Sequence, residues 1–336
     1  MIPSNWAIPT GDESRLRSAL NSGLEPPAFT TLKSTSFPHS EAIASNPPAP
    51  QRFAIINGDD FGFSVGVNQA IIQAHTEGVL TSTSLMVTGA EADAAIALAK
   101  QHPSLGVGLH LVLVCGRSAL PAAQIPHLVD AEGNFPNNPA KAGLKYQFSA
   151  AARRELRLEI RAQLEQFQKS GLSMSHVDGH LHLHAHPVVL DILIELAPEF
   201  GIRVIRLPFE ELGFTLNLDP THWLDKATGW WIFSQLRRRG ERRLQQAGID
   251  CAQRVYGLLK SGDMTEDYLL GLIPQIQAQC IEIYAHPAIA LPNEPNNGPS
   301  GAGERELKAL LSDRVRAALT TQGFTLTQYR DPQIFR

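Results

Sequence analysis

The residues of this chain best suited to chemistry crowd into Ser175–Pro187, where five of the twelve histidines fall within eleven positions around one acid, Asp178. In a strand, side chains alternate between faces, so His176, Asp178, His180, His182 and His184 would share one side and Val177, Leu181 and Leu183 the other. Imidazoles and a carboxylate on one wall are the makings of a metal or catalytic site. The aliphatic residues between them, and the internal position of the segment, argue against a tag-like surface run. Reach limits how many can meet one ion. At roughly 3.3 Å per residue, His176 and His180 stand about 13 Å apart along a strand, and metal–nitrogen bonds are about 2 Å. The cluster therefore supplies one ligand, or two if the chain turns after Gly179, and the other ligands come from elsewhere.

Three further places offer them. Asn57-Gly58-Asp59-Asp60-Phe61-Gly62 follows an aliphatic run. One of its adjacent carboxylates can bind a metal while the other faces water; the alternative is a strand-to-helix turn with an Asp cap. Gly106-Val107-Gly108-Leu109-His110-Leu111 sets a single histidine in an apolar strand. Alone it reads as a hydrogen-bonded core residue, but Asp60 and His180 make it a candidate ligand. His286 closes the run Cys280–Ala285.

The elements that must position these groups are legible from residue 52 onward. Strands are expected at Phe53–Asn57, Thr83–Thr88, Leu105–Val114, Met174–His180, Ile202–Leu207, Gln253–Leu259, Cys280–Ala285 and Phe324–Tyr329. Helical patterns lie near 66–77, 90–101, 149–169, 187–199, 230–246, 265–278 and 303–321. The alternation predicts an α/β fold, a single (β/α) barrel over 51–336, with an open doubly wound sheet as the alternative. Nearly all the polar candidates sit towards C-terminal strand ends, where such barrels carry their sites. Residues 1–50, rich in Pro, Ser and Thr, are expected to be a disordered extension. With 336 residues, 43% hydrophobic and 18% charged, the composition is globular, and a net charge of −4 gives no sign of nucleic-acid binding. There is no secretory signal pattern and no run of ~20 apolar residues. Cys115, Cys251 and Cys280 are too few and too scattered for a disulfide framework, which fits a cytoplasmic setting.

In order along the chain, Asn-x-Asp-Asp-Phe-Gly (57–62), Gly-Leu-His-Leu (108–111) and Ser-His-Val-Asp-Gly-His-x-His-x-His (175–184) resemble the YdjC-like carbohydrate deacetylases, which include the chitooligosaccharide deacetylases. The resemblance runs from about residue 52 to His286, and residues 1–50 lie outside it. It implies a distorted (β/α) barrel, a homodimer, and one divalent ion, magnesium or zinc, held by Asp60, His110 and His180. It makes Asp59 the catalytic base and His286 the general acid. Ala285 and Ala288 depart from the family's Cys before that histidine and Gly after its proline, which leaves His286 less firmly placed than the metal trio. Asp178 is then a partner orienting His180 or His286, while His176, His182 and Arg206 line the pocket or support the ligands. The reaction implied is hydrolysis of an N-acetylated amino sugar.

The long insertion after His110, the His180–His184 run and Arg206-Leu207-Pro208-Phe209-Glu210 resemble the branch associated with hopanoid biosynthesis, whose substrate would be an N-acetylglucosaminyl hopanoid lipid. Trp230 and Trp231 followed by Arg237, Arg238 and Arg239 suit a peripheral membrane contact; the plainer reading is an outer helix with its aromatics packed on the sheet and its arginines in water, and a dimer contact is a third. Two rivals remain. His182-x-His184 matches the His-x-His pair of amidohydrolases, although that pair usually ends a first strand. A non-catalytic sugar- or lipid-binding protein with a relic site is the other.

Overall fold

The first strand, β1 (Arg52–Phe61), is the axis of the molecule and is buried along almost its whole length. The computed structural model describes residues 51–335, so the expectation of a disordered extension over 1–50 lies outside the described residues. After β1 come α1 (Val65–Thr76), β2 (Ser82–Leu85), α2 (Ala92–Gln101) and β3 (Gly106–Leu111). Then follow α3 (Pro139–Phe148), α4 (Ala150–Lys169), β4 (Met174–Gly179), α5 (Pro187–Phe200), α6 (Leu212–Leu218) and α7 (Trp223–Ala247). The chain ends with β5 (Arg254–Tyr256), α8 (Glu266–Leu272), β6 (Cys280–Ala285), α9 (Ala302–Leu310), α10 (Asp313–Thr321) and β7 (Phe324–Thr327). Side chains and glycines mark several boundaries. Ser64 caps α1 and Ser149 caps α4 through their hydroxyls, and Gly201 ends α5 in the left-handed conformation at φ +67°.

All strands are parallel, in the order β4-β3-β2-β1-β6-β5, with β7 also on β1. β7 pairs with Arg52–Ile55 and β2 with Asn57–Phe61, while β6 runs beside both stretches. The two short strands therefore share one edge of β1. This corrects the full eight-stranded barrel expected from the sequence: the sheet is a curled half-barrel. Residues 202–207 do not form a strand. They touch β4 through the bridge Val177↔Ile205, and Phe209 touches β5 through Val255, without a ladder. Pro208, which has no N–H to donate, breaks this stretch.

The alternation of each strand sorts two environments. Ala54, Ile56, Leu85, Val107, Leu109, Val177, Ile281 and Ile283 are buried in the large core that includes Val67, Ile71, Leu156, Ile160 and Leu193 of the helices. Burying each such aliphatic side chain is worth about 1.5–3 kcal/mol. The other side carries a small apolar cluster of Phe53, Ile55, Val204, Val255, Tyr284 and Tyr329. Beyond it the same side becomes polar, with Asn57, Asp59, Ser84, His110, His176, Asp178 and Glu282 all buried.

The surface helix α7 departs from its expected character. Arg237 is buried, donating to the Leu207 and Ala252 carbonyls and pairing with Glu241, so it is not available to a membrane. Arg239 pairs with Asp191. Trp230 is half-buried near Phe209, while Trp223, Leu224, Trp231 and Ile232 are exposed. Among the described residues no helix is long and apolar enough to cross a membrane.

Candidate active site

Two neighbouring side chains on a regular strand point to opposite faces, so Asp59 and Asp60 should not meet at one site. The backbone resolves this. The β1–β2 register shifts between Gly58 and Phe61, and Asp60 adopts φ +66°. Aspartate tolerates this left-handed conformation better than most residues, and the resulting irregularity re-aims its side chain. Asp60 Oδ1 then lies 3.1 Å from His110 Nε2 and 3.0 Å from His180 Nδ1. Asp60, His110 and His180 thus offer one ligand atom each, all within 4.8 Å of one another.

His110 comes from β3, and the β3–β4 register sets it directly beside Asp178. Its Nδ1–H donates to Asp178 Oδ1 at 2.8 Å, which fixes the tautomer and leaves Nε2 facing Asp60. The expectation that Asp178 orients His180 or His286 is therefore corrected: it holds His110. His180 lies just past β4, where the expected strand stops. After Gly179 the chain enters a short 3-10 segment, His180–Ala185, with Leu181 and His182 at φ 51° and 55°. The single imidazole-bearing face expected for 176–184 does not exist, because this turn scatters the histidines. Only His180 of the cluster reaches Asp60.

The other histidines of the run make separate contacts. His176 packs 4.3 Å from the Tyr329 ring and meets Ser175 and Ser84 through its two nitrogens. Gly108 is what admits it, since a Cβ there would fall 2.4 Å from the ring. His184 Nε2 donates to the Arg206 carbonyl at 3.0 Å, and burial pushes its pKa down to about 4. His182 meets the Tyr284 hydroxyl at 2.8 Å, and burial, with the Arg206 charge, holds its ring well below the ordinary imidazole range.

Arg206 is the hub beneath the site. Fully buried, it forks onto Asp59 through Nη1 and Nη2 at 2.7 and 2.8 Å. Nη1 also lies 2.8 Å from Asp178 Oδ2, and the remaining donors reach Glu282. Its burial assigns it to supporting carboxylates rather than touching substrate. Burial opposes its charge, but Asp178, Asp59 and Glu282 together keep it firmly protonated. Asn57 donates to both Asp59 and Ser84, and Ser84 donates to Asp178 at 2.6 Å, so the network is continuous. Burial alone would raise the Asp60 carboxyl, yet His180 and His110 hold it well below the usual carboxylate range. Burial likewise opposes the charge on His110, but the Asp178 and Asp60 carboxylates hold it well above the ordinary imidazole range. A metal and a proton would compete for that nitrogen.

His286 stands immediately after β6, one-fifth exposed, with its backbone N–H donating to Glu306 and its Nδ1 3.8 Å from that carboxylate. It makes no hydrogen bond with the Asp60 trio among the described residues. Its ring lies 5.7 Å from that of Tyr284, which in turn sits 4.9 Å from the Arg206 guanidinium. Residues unmarked in the sequence reading are Ser84, Glu282, Tyr329, Glu306 and Asn297, and Asn57 stands in its motif without a role. A lone charge in the apolar run Cys-Ile-Glu-Ile-Tyr-Ala and polar residues in the buried β2 were the available signals. Nothing near Asn297 in sequence marks its contact with Asp60.

The donor set fits a divalent ion: one carboxylate oxygen and two imidazole nitrogens converge, and a buried carboxylate fixes the tautomer of one ligand. A family model described as YdjC-like protein matches residues 53–321. A carbohydrate deacetylase of Brevibacillus brevis is 35% identical over 282 residues, covering 82% of this chain and 98% of the relative. One from Geobacillus stearothermophilus is 33% identical over 283 residues, covering 83% and 98%. Among solved structures, a candidate cellobiose-phosphate cleavage protein from Enterococcus faecalis V583 superposes with a TM-score of 0.62 at 25% identity, covering 83% of this chain and 98% of that one.

Proposed function

The chain belongs to the YdjC-like family, and from this premise we infer that it is a hydrolase that removes acetyl groups from the nitrogen of amino sugars. The observation that carries the reading is the convergence of Asp60, His110 and His180 beside an Asp59 held by Arg206. Asp60, His110 and His180 would hold a divalent ion, zinc or magnesium. When bound, such an ion supplies Lewis acidity to water and to the acetamide carbonyl. Asp59 is the base. Its Oδ1 accepts from both Arg206 and Asn57 while Oδ2 accepts from Arg206 alone, and the second lone-pair direction of Oδ2 takes the proton of the attacking water. As the new C–O bond forms and the C–N bond breaks, His286 gives its proton to the leaving amine. Acetate and the free amino sugar leave. Glu306 lies beside His286, its carboxylate 3.8 Å from Nδ1.

The substrate proposed is lipid-linked, an N-acetylglucosaminyl hopanoid met at the cytoplasmic face of a membrane. Support comes from α7. Its exposed Trp223, Leu224, Trp231 and Ile232 offer apolar surface, and Phe233 of the same helix lies 5.7 Å from the His182 ring. The helix thus runs from the rim of the site to an amphipathic outer face of the type that settles at an interface. Acetate release should be compared between acetylglucosaminyl hopanoid in mixed micelles and soluble N,N′-diacetylchitobiose. We expect release from the hopanoid to exceed that from chitobiose at least tenfold in kcat/KM. Release from chitobiose alone would keep the deacetylase and discard the lipid.

A further inference from the structure

The loop between β6 and α9 reaches back over the end of β1, and its path is built rather than incidental. Ile289 N–H donates to the Gly66 carbonyl at 3.2 Å. Gly66 is required there, because a Cβ would fall 2.1 Å from the Ile289 oxygen. Glu294 then accepts from the Val65 and Gly66 N–H groups at 3.0 and 2.9 Å. These are free donors in the first turn of α1, and a carboxylate at that helix end is favoured by charge as well as by hydrogen bonding. Three residues on, between Pro295 and Pro299, the half-buried Asn297 donates from Nδ2 to Asp60 Oδ2 at 3.0 Å. The two oxygens of Asp60 are thereby divided. Oδ1 faces the imidazoles of His110 and His180, and Oδ2 faces Asn297.

We propose that Asn297 is a positioning residue for the metal site, delivered by a loop that Glu294 clamps to α1, and that it commits Asp60 to presenting Oδ1 alone to the ion. Without the amide, the carboxylate is free to rotate about its terminal torsion, which is broad and roughly two-fold, and the donor set loses its preorganisation. Hydrogen-bond partners of metal ligands typically account for 10- to 100-fold in affinity. The inference rests on the reading of Asp60, His110 and His180 as ligands.

The test is titration of the metal-free full chain with Zn²⁺ against a competing chelator, with the thermal midpoint of the same metal-free samples as control. Asn297→Ala is expected to weaken Zn²⁺ binding roughly 10- to 100-fold with the metal-free midpoint unchanged. Asn297→Gln, which keeps the donor, should recover part of that loss. Glu294→Gln, which weakens the clamp but leaves the amide, should move the affinity in the same direction by less. Wild-type binding with unaltered affinity in Asn297→Ala would overturn this inference alone. A wild-type chain that binds neither Zn²⁺ nor Mg²⁺ would overturn the reading of the site, and this inference with it.

Discussion

Asp59→Asn is expected to slow acetate release by roughly 10²- to 10⁴-fold, the range of a lost general base, while metal content stays at the wild-type level. The asparagine keeps the shape and one acceptor, so the Arg206 fork is weakened rather than removed. Arg206 would still face Asp178 and Glu282, which should hold the fold. What disappears is the oxygen that takes the proton of the attacking water. The Asp60 trio does not include Asp59, so metal should be retained. The decisive measurement pairs kcat with elemental analysis on one preparation. Normal turnover would remove Asp59 from the base role. Loss of metal together with activity would instead make Asp59 part of the ion's site, as the grouping of Asp59, His110 and Asp178 within 4.8 Å allows.

The largest effect on stability is expected at Arg206. Arg206→Met leaves Asp59, Asp178 and Glu282 buried without their shared cation. Breaking a single buried ion pair costs about 3–5 kcal/mol, and three acceptors lose their partner here, so the variant should fall at or beyond the upper end of that range. Arg206→Lys keeps the charge but cannot fork onto Asp59 and Glu282 at once, and should recover only part of the loss. Chemical denaturation at neutral pH measures both. A Met variant as stable as the parent would mean that the carboxylates are already protonated or solvated, and that the arginine is not their anchor.

The sequence exposes the donors of this site more fully than their supports. The Asp59-Asp60 pair, His110 and the histidine cluster stand out because an acid pair at a strand end and a histidine in an apolar strand are unusual against their surroundings, and the family resemblance picks Asp60, His110 and His180 from among them. Their meeting could not be derived by alternation. It depends on a left-handed Asp60 and on the chain leaving the strand at Gly179, both local departures from the period-two rule. Asp178 was visible as a candidate, but its true partner, His110, follows from the β3–β4 register, a long-range fact. Arg206 was noticed in its motif without its geometry, and Asn297 was invisible because its contact spans 237 positions. The strand reading held where a run pairs in a ladder, even on one side only as in β4, β5 and β7. It failed at 202–207, where an apolar run makes only isolated bridges before Pro208. From sequence the Trp-Arg stretch suits a membrane contact, a packed outer helix or a dimer contact, and neither of the first two foresees that the helical period turns Arg237 inward while its neighbours Arg238 and Arg239 stay exposed.

The measurement that bears most directly on the central claim is acetate release from an N-acetylated amino sugar by the full chain, first stripped with a chelator and then resupplied with Zn²⁺ or Mg²⁺. The account predicts no release from the stripped protein, and release that rises with added ion and saturates at one equivalent. Equal release with and without the ion would contradict the role given to Asp60, His110 and His180. No release from any acetylated sugar by a protein carrying its ion would contradict the deacetylase itself.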